Sequence, residues 1–271
     1  MLATTCFKAP RPLHWITTSV IRPLPAFTPA VKNSLSHFSS NAQPSCGPSK
    51  EVTKRWTVSE CFRDHRSVAS SLPKILDAYV GPNAIAPKLN EAIMVTVNSA
   101  NRCPYCSGLH GQLARMAGVE DPQKLESAES MEEARKVVNE QAVSYARIFA
   151  ENRGHGDEVA KAWDELVHLY GPGKASSIRA LCWFLQWGSL GGNTLNAILD
   201  GSHSGNVFFK GAYALYYGPL FLVIAAMNRV LVFFPTVPAW FSASIGVVLT
   251  FAAGTWIIPM AIVGLLASPF V

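Results

Sequence analysis

The sequence lacks acidic residues at both of its ends. Residues 1–50 contain no Asp or Glu, and none follows Asp200, so all 18 acidic residues lie between these segments. Five Lys and Arg residues fall within residues 1–50, and they account for the net charge of +5. No part of the chain combines clustered basic residues with interleaved aromatics, the pattern typical of nucleic-acid binding. We therefore expect no nucleic-acid partner.

The N-terminal segment also lacks a continuous apolar stretch. Prolines at positions 10, 12, 23 and 25 interrupt it, which excludes the apolar h-region of a secretory signal. A segment rich in Ser, Thr and basic residues, without acids, is typical of organellar targeting. Residues 35–42, "LSHFSSNA", are similar to the end of a mitochondrial presequence. We predict that residues 1–50 direct the protein to a mitochondrial membrane; a plastid is the alternative destination, and a disordered leader without an address is the second alternative.

The chain does not have the dense cysteine framework of a small secreted protein. Its six cysteines are Cys6, Cys46, Cys61, Cys103, Cys106 and Cys182. A single close pair among scattered cysteines indicates a function for that pair rather than disulfide stapling. We expect Cys182 to be a small apolar residue of the core.

Long apolar runs are confined to the C-terminus. Residues 211–234 and 239–267 are each longer than the roughly 20 residues that cross the hydrocarbon core of a bilayer. They predict two transmembrane helices that form a hairpin with both ends on one side of the membrane; a core hairpin of a soluble protein is the alternative. Lys210 and Arg229 lie near opposite ends of the first run, so the positive-inside count leaves the orientation open.

Strand signals are scarce in residues 56–200, where apolar residues recur at helical spacing. The sequence therefore predicts an all-α protein, in which a helical domain at 56–200 precedes the transmembrane hairpin. The predicted helices of this domain cover residues 73–80, 87–100, 103–118, 131–152, 157–171 and 174–199. Pro104 suits the first turn of the third helix, where its missing N–H costs nothing.

The helix that starts at "CPYCSGLH" carries Cys103, Cys106 and His110. On a helix these positions are i, i+3 and i+7, so the three side chains share one face. A helix N-terminus favours a thiolate, and two cysteines at this spacing can cycle between dithiol and disulfide. Glu91 lies as far before the turn at residues 100–101 as His110 lies after it. If the two helices are antiparallel, the carboxylate can hold one ring nitrogen of His110 and leave the other to accept a proton.

Two other interpretations of these residues stay open. Cys103, Cys106 and His110 could bind a metal ion, but a fourth ligand would have to come from elsewhere, such as Cys61 or His65. The cysteines could also be inert packing residues. We predict redox chemistry, with no bound metal or cofactor.

Glu91, eleven intervening residues and then "CPYCSGLH" resemble the signature of the alkylhydroperoxidase D and carboxymuconolactone decarboxylase-like family. The similarity extends from about residue 65 to 200 and includes "GGNTLNAIL" near its end. It implies an alkylhydroperoxidase-like helical fold that forms homo-oligomers. It also implies thiol-dependent reduction of organic or lipid hydroperoxides, with an external dithiol such as dihydrolipoamide or a thioredoxin-like protein restoring the cysteines.

Carried over by position, the resemblance makes Cys106 the attacking thiolate, Cys103 the resolving thiol, and His110 with Glu91 the proton relay. Some relatives have a His immediately before the second cysteine, where this chain has Tyr105. A helix-dipole argument alone favours Cys103 as the more acidic thiol, whereas proximity to His110 favours Cys106, which we assign. The leading hypothesis is a membrane-anchored thiol peroxidase; the alternatives are an acid-base enzyme of the decarboxylase type and a non-enzymatic membrane assembly protein.

Overall fold

The computed structural model describes residues 54–128, 132–133, 140–231, 233–234 and 239–267. The predicted leader at residues 1–50 therefore lies outside the described residues. Within the described ranges the chain contains eight helices and no strand. This confirms the predicted all-α fold class. In chain order they are α1 (Val58–Val80), α2 (Pro87–Asn101), α3 (Pro104–Met116), α4 (Pro122–Glu126), α5 (Gln141–Glu151), α6 (Asp157–Leu199), α7 (Val207–Leu231) and α8 (Ala239–Ala267).

Helix α1 is much longer than the predicted helix at residues 73–80. Thr57 and Glu60 form a capping box at its start, in which the Thr57 side chain accepts from the Glu60 N–H. This signal marks the start of a helix. Pro73 lies inside α1 and not at its start. The prediction that a helix begins at residue 73 is therefore wrong, because the helix begins at Val58.

Two other boundaries differ from the prediction. The continuous helix predicted at residues 131–152 is wrong, because Glu140 has an extended backbone (φ −131°, ψ 132°) and α5 begins only at Gln141. The helices predicted at 157–171 and 174–199 are the two arms of α6, which kinks at Gly171 (φ 75°) before Pro172. A positive φ of this size suits glycine, and proline cannot continue the hydrogen bonding of the preceding turn.

The two C-terminal helices are long and apolar enough to cross a membrane. Residues Val207–Leu231 and Ser244–Leu266 have mean hydropathies of 1.4 and 2.0. Helix α7 starts four residues before the predicted range 211–234 and ends three residues before its end, whereas α8 has the predicted bounds 239–267. Length and composition alone support these spans.

Both C-terminal helices pack on the preceding domain more than on each other. Helix α8 runs antiparallel along α1, where Gly246 lies against the ring of Tyr79 and Gly264 against Phe62. Glycine at these positions allows the close approach, because an added Cβ would clash with the aromatic side chain. Helix α7 packs on α3 and α6. Residues of α7 and α8 therefore belong to the same hydrophobic core as the domain.

Candidate functional site

The turn between α2 and α3 places Cys103. Arg102 adopts a left-handed conformation (φ 55°, ψ 46°) and ends α2, and Cys103 then takes an extended conformation (φ −88°, ψ 115°) as the residue before α3. Pro104 is the first helical residue, as predicted. Because Cys103 lies outside the helix, the prediction that Cys103, Cys106 and His110 share one helical face holds only for Cys106 and His110.

The two thiols nevertheless come together. The Sγ atoms of Cys103 and Cys106 are 2.9 Å apart, and both residues are free cysteines. A disulfide bond is about 2.05 Å long, so less than about 1 Å of approach separates the reduced pair from a disulfide. We refer to Cys103 and Cys106 as the dithiol. It is enclosed, since Cys103 is 0% and Cys106 5% exposed.

Cys106 holds its proton tightly. The neighbouring Cys103, through its hydrogen bond, raises the pKa of Cys106 well above that of an ordinary thiol, and burial raises it further. These effects outweigh the helix N-terminus, which favours the thiolate. A thiolate at Cys106 therefore needs a base that takes the proton away.

Glu91 and His110 provide a candidate for this base. The predicted contact between them is present: His110 Nδ1 lies 3.1 Å from Glu91 Oε2, and both side chains are buried. The carboxylate holds Nδ1, so Nε2 is the ring nitrogen left to accept a proton. Within the described parts of the chain, no hydrogen bond joins His110 to Cys106, one turn earlier on α3. A proton would have to pass between them through a water molecule or a substrate oxygen.

A polar network holds the turn that carries Cys103. Asn101 Nδ2 donates to Gln186 Oε1 at 2.7 Å and to Ser189 Oγ at 2.8 Å, and Asn193 Nδ2 donates to the Asn101 carbonyl at 2.7 Å. All four side chains are buried. Buried hydrogen bonds between α2 and α6 thus fix the end of α2 directly before the dithiol.

Gly192 and Phe221 complete the walls of the site, and neither was singled out as a site residue by the sequence analysis. A Cβ at Gly192 would lie 2.8 Å from Cys103 Sγ and 3.1 Å from the rings of Tyr105 and Phe221. Gly192 lies within the stretch "GGNTLNAIL", which formed part of the family resemblance but did not single out this glycine. Phe221 gave no signal, because an aromatic residue within an apolar run is indistinguishable from a lipid-facing one.

The second Cys–His pair is a separate structural cluster. Cys61 Sγ lies 3.7 Å from His65 Nδ1, and His65 Nε2 accepts from Trp187 Nε1 at 2.7 Å and also contacts the Tyr217 hydroxyl. Burial lowers the pKa of His65 to about 4 and raises that of Cys61. Among the described residues, no group of three or more His, Cys, Asp or Glu side chains could hold a metal ion. Cys182 is fully buried in the core, and burial also raises the pKa of its thiol.

The part of the chain that holds this site is similar to a known protein family. Residues 71–147 match the model of the Carboxymuconolactone decarboxylase family. This segment is therefore similar to that family. The match includes Glu91 and the dithiol with His110, but it is shorter than the similarity predicted for residues 65–200. No curated protein and no solved structure matches the chain.

The raised pKa of Cys106 predicts how the reactivity of this thiol depends on pH. Because only the thiolate is alkylated, the rate of Cys106 carbamidomethylation by iodoacetamide should still be rising above about pH 8.5, the ordinary thiol pKa. Substituting Cys103→Ala removes the main cause of the shift and should move the profile to lower pH. Peptide mass spectrometry measures the rate at Cys106. Superimposable profiles for both proteins would contradict this account.

Proposed function

We propose that the protein is a membrane-anchored, thiol-dependent peroxidase that reduces organic hydroperoxides through its dithiol. The observation that carries this proposal is the contact of the two free sulfurs at 2.9 Å, in the same domain as the buried Glu91–His110 pair. An acid-base enzyme needs the carboxylate and the imidazole but has no use for two adjacent thiols. The similarity of residues 71–147 to the decarboxylase family agrees with either chemistry.

The proposed reaction needs only the two thiols, His110 and one hydroperoxide. Cys106 loses its proton to His110, and the thiolate attacks the terminal oxygen of ROOH. The O–O bond breaks, the alkoxide takes the proton from His110 and leaves as ROH, and Cys106 becomes a sulfenic acid. Cys103 then attacks the Cys106 sulfur, so a disulfide forms and water leaves. Two thiols are oxidised for each hydroperoxide reduced, and an external dithiol such as dihydrolipoamide or a thioredoxin-like protein restores them by exchange.

Helices α7 and α8 support the proposed membrane anchor by their length and apolar composition. The mitochondrial destination, with a plastid as the alternative, rests on the composition of residues 1–50. Homo-oligomer formation is likewise a proposal that rests on the family resemblance.

Substitution Glu91→Gln tests the proton relay. The amide keeps a hydrogen-bonding group beside His110 but removes the charge that stabilises its protonated form. We expect the rate of dithiol oxidation by hydroperoxide to fall about a hundredfold, in the range of general acid–base contributions. Stopped-flow tryptophan fluorescence or rapid thiol quenching measures this rate on the full-length protein in phosphatidylcholine vesicles. The control is Glu120→Gln, an exposed carboxylate of the same domain, which should change nothing; an equal effect of both substitutions would refute the relay.

A turnover assay tests the function as a whole. The full-length protein in phosphatidylcholine vesicles is supplied with dihydrolipoamide and either cumene hydroperoxide or linoleic acid hydroperoxide. Consumption of one dithiol for each hydroperoxide supports the proposal. Absence of hydroperoxide consumption together with decarboxylation of carboxymuconolactone would replace it with the acid-base alternative.

A further inference from the structure

Helix α7 lies over the dithiol. The ring of Phe221 on α7 is 5.3 Å from that of Tyr105, which stands between the two cysteines in sequence. Phe221 and Cys103 both border the narrow space beside Gly192. In this packing Cys103 is fully enclosed and Cys106 nearly so. A hydroperoxide therefore reaches the sulfurs only when this packing opens, and α7 forms one of its walls.

Specific hydrogen bonds hold α7 on the domain along its length. The Tyr213 hydroxyl donates to the Gly191 carbonyl at 2.9 Å, and the Tyr217 hydroxyl contacts His65. Near the C-terminal end of α7, Gln112 Nε2 donates to the Leu231 carbonyl at 3.3 Å. The docked position of α7 is therefore a defined one, held by polar groups as well as by apolar packing.

The opposite sides of α7 and α8 are apolar and exposed. We call these exposed residues the outer apolar face. They are Leu215, Leu222, Val223, Val230, Val248, Phe251, Ile258, Ile262, Val263, Leu265 and Leu266. A helix that is apolar on every side is expected in a protein core or in a membrane. Because the domain covers only one side, the other side requires a second apolar environment, and lipid is the one that fits two adjacent helices of this length.

Docking on α1 opposes the crossing of a bilayer by α8. Helix α1 runs beside α8 and exposes Arg66 and Lys74 to solvent. If α8 crossed the hydrocarbon while docked, it would carry these charges toward or into the bilayer, where charged side chains are costly. Helix α7 is coupled to α8, since the Tyr216 hydroxyl donates to the Trp256 carbonyl at 2.9 Å and Trp256 Nε1 donates to the Tyr216 carbonyl at 2.8 Å.

We propose that α7 is a lid over the dithiol, and that insertion of α7 and α8 into a lipid bilayer lifts it and exposes the sulfurs. The proposal rests on the membrane anchoring proposed above. A bilayer can shift an equilibrium only by binding one state more strongly. It binds the undocked helices more strongly, because these bury both their inner and their outer sides in lipid, whereas the docked helices offer only the outer apolar face. Access to the dithiol thus depends on the membrane.

Cysteine labelling of the full chain tests the lid directly. The protein is made by cell-free synthesis with or without phosphatidylcholine vesicles, treated with a polyethylene glycol maleimide, and analysed by peptide mass spectrometry. We expect vesicles to increase labelling of Cys103 and Cys106 about tenfold or more. Cys182 is the internal control, because it is fully buried on α6, close to Tyr145 of α5, and should stay protected.

Two outcomes would overturn the lid. Unchanged protection of the dithiol in chains whose insertion is shown by resistance to carbonate extraction would mean that α7 does not lift. Labelling of Cys182 along with the dithiol would mean unfolding instead of lid opening. Because labelling reports exposure and not turnover, failure of the proposed peroxidase activity leaves this test unaffected, and failure of the lid leaves the activity assay unaffected.

Substitutions at two adjacent tyrosines distinguish the contact of α7 with the domain from its contact with α8. Tyr217→Phe removes the hydrogen bond to His65 and keeps the ring, so labelling of the dithiol without vesicles should rise severalfold. Tyr216→Phe removes a hydrogen bond to α8 and leaves the contacts of α7 with the domain in place, so labelling without vesicles should not rise. Equal labelling of both variants would contradict the assignment of Tyr217 as a group that holds the lid.

Discussion

Substitution of Cys106 by serine is expected to lower the rate of hydroperoxide reduction by about three orders of magnitude or more, as for other catalytic nucleophiles. The hydroxyl does not attack peroxide, and Cys103 alone has no second sulfur with which to form a disulfide. Cys61 cannot replace it, because it lies in the separate cluster with His65. The measurement is hydroperoxide consumption by the full-length protein in vesicles with dihydrolipoamide.

Cys182→Ser is the matched control for this substitution. Cys182 is also buried in the core, but the described sulfur–sulfur contact joins only Cys103 and Cys106, so activity should remain near that of the original protein. Cys103→Ser should allow one oxidation of Cys106 to a sulfenic acid, which dimedone traps, and should then stop. Retained turnover in Cys106→Ser would show that the dithiol is not the reacting group.

Substitution Gly192→Val is expected to disrupt the site from helix α6, which faces Cys103. Its Cβ would lie 2.8 Å from Cys103 Sγ and 3.1 Å from two aromatic rings, closer than real Cβ atoms are normally found. Helix α6 must then move away from α3, with a loss of about 1–3 kcal/mol of stability, as for other overpacked cores. We expect both a lower melting temperature and loss of dithiol oxidation by hydroperoxide.

Gly188→Ala provides a control one turn earlier on the same helix. Nothing lies within 4 Å of a Cβ at this position. Alanine is favoured over glycine in a helix by about 1 kcal/mol, so this variant should melt at an equal or higher temperature and keep full activity. If Gly192→Val behaved like Gly188→Ala, the close approach of α6 to Cys103 would be unimportant.

Local signals in the sequence predicted much of the site. The contact between Glu91 and His110 followed from two helices joined by a turn at residues 100–101, because equal distances from a turn bring residues to the same height. The proximity of Cys103 and Cys106 followed from their spacing, although Cys103 precedes the helix and the left-handed Arg102 positions it. The spacing of the two cysteines therefore predicted their contact correctly, but it wrongly placed Cys103 inside the helix.

Contacts between distant segments could not be predicted in the same way. Hydropathy identified α7 and α8 as apolar, but it does not distinguish a side chain that faces lipid from one that covers a dithiol, as Phe221 does. The length of α1 was missed because Pro73 suggested a helix start, whereas the capping box at Thr57 marks the actual one. Packing of α8 along α1 depends on Gly246 and Gly264, whose role appears only when the facing aromatic side chains are known.

Counting thiols after a single dose of oxidant tests whether the dithiol is the group that reduces hydroperoxide. The full-length protein in phosphatidylcholine vesicles is treated with an equimolar amount of cumene hydroperoxide, and free thiols are titrated and then assigned by peptide mass spectrometry. We expect the loss of two thiols for each hydroperoxide, a disulfide between Cys103 and Cys106, and no change at Cys61 or Cys182. Retention of both thiols of the dithiol, under conditions where iodoacetamide still reaches them, would contradict this expectation.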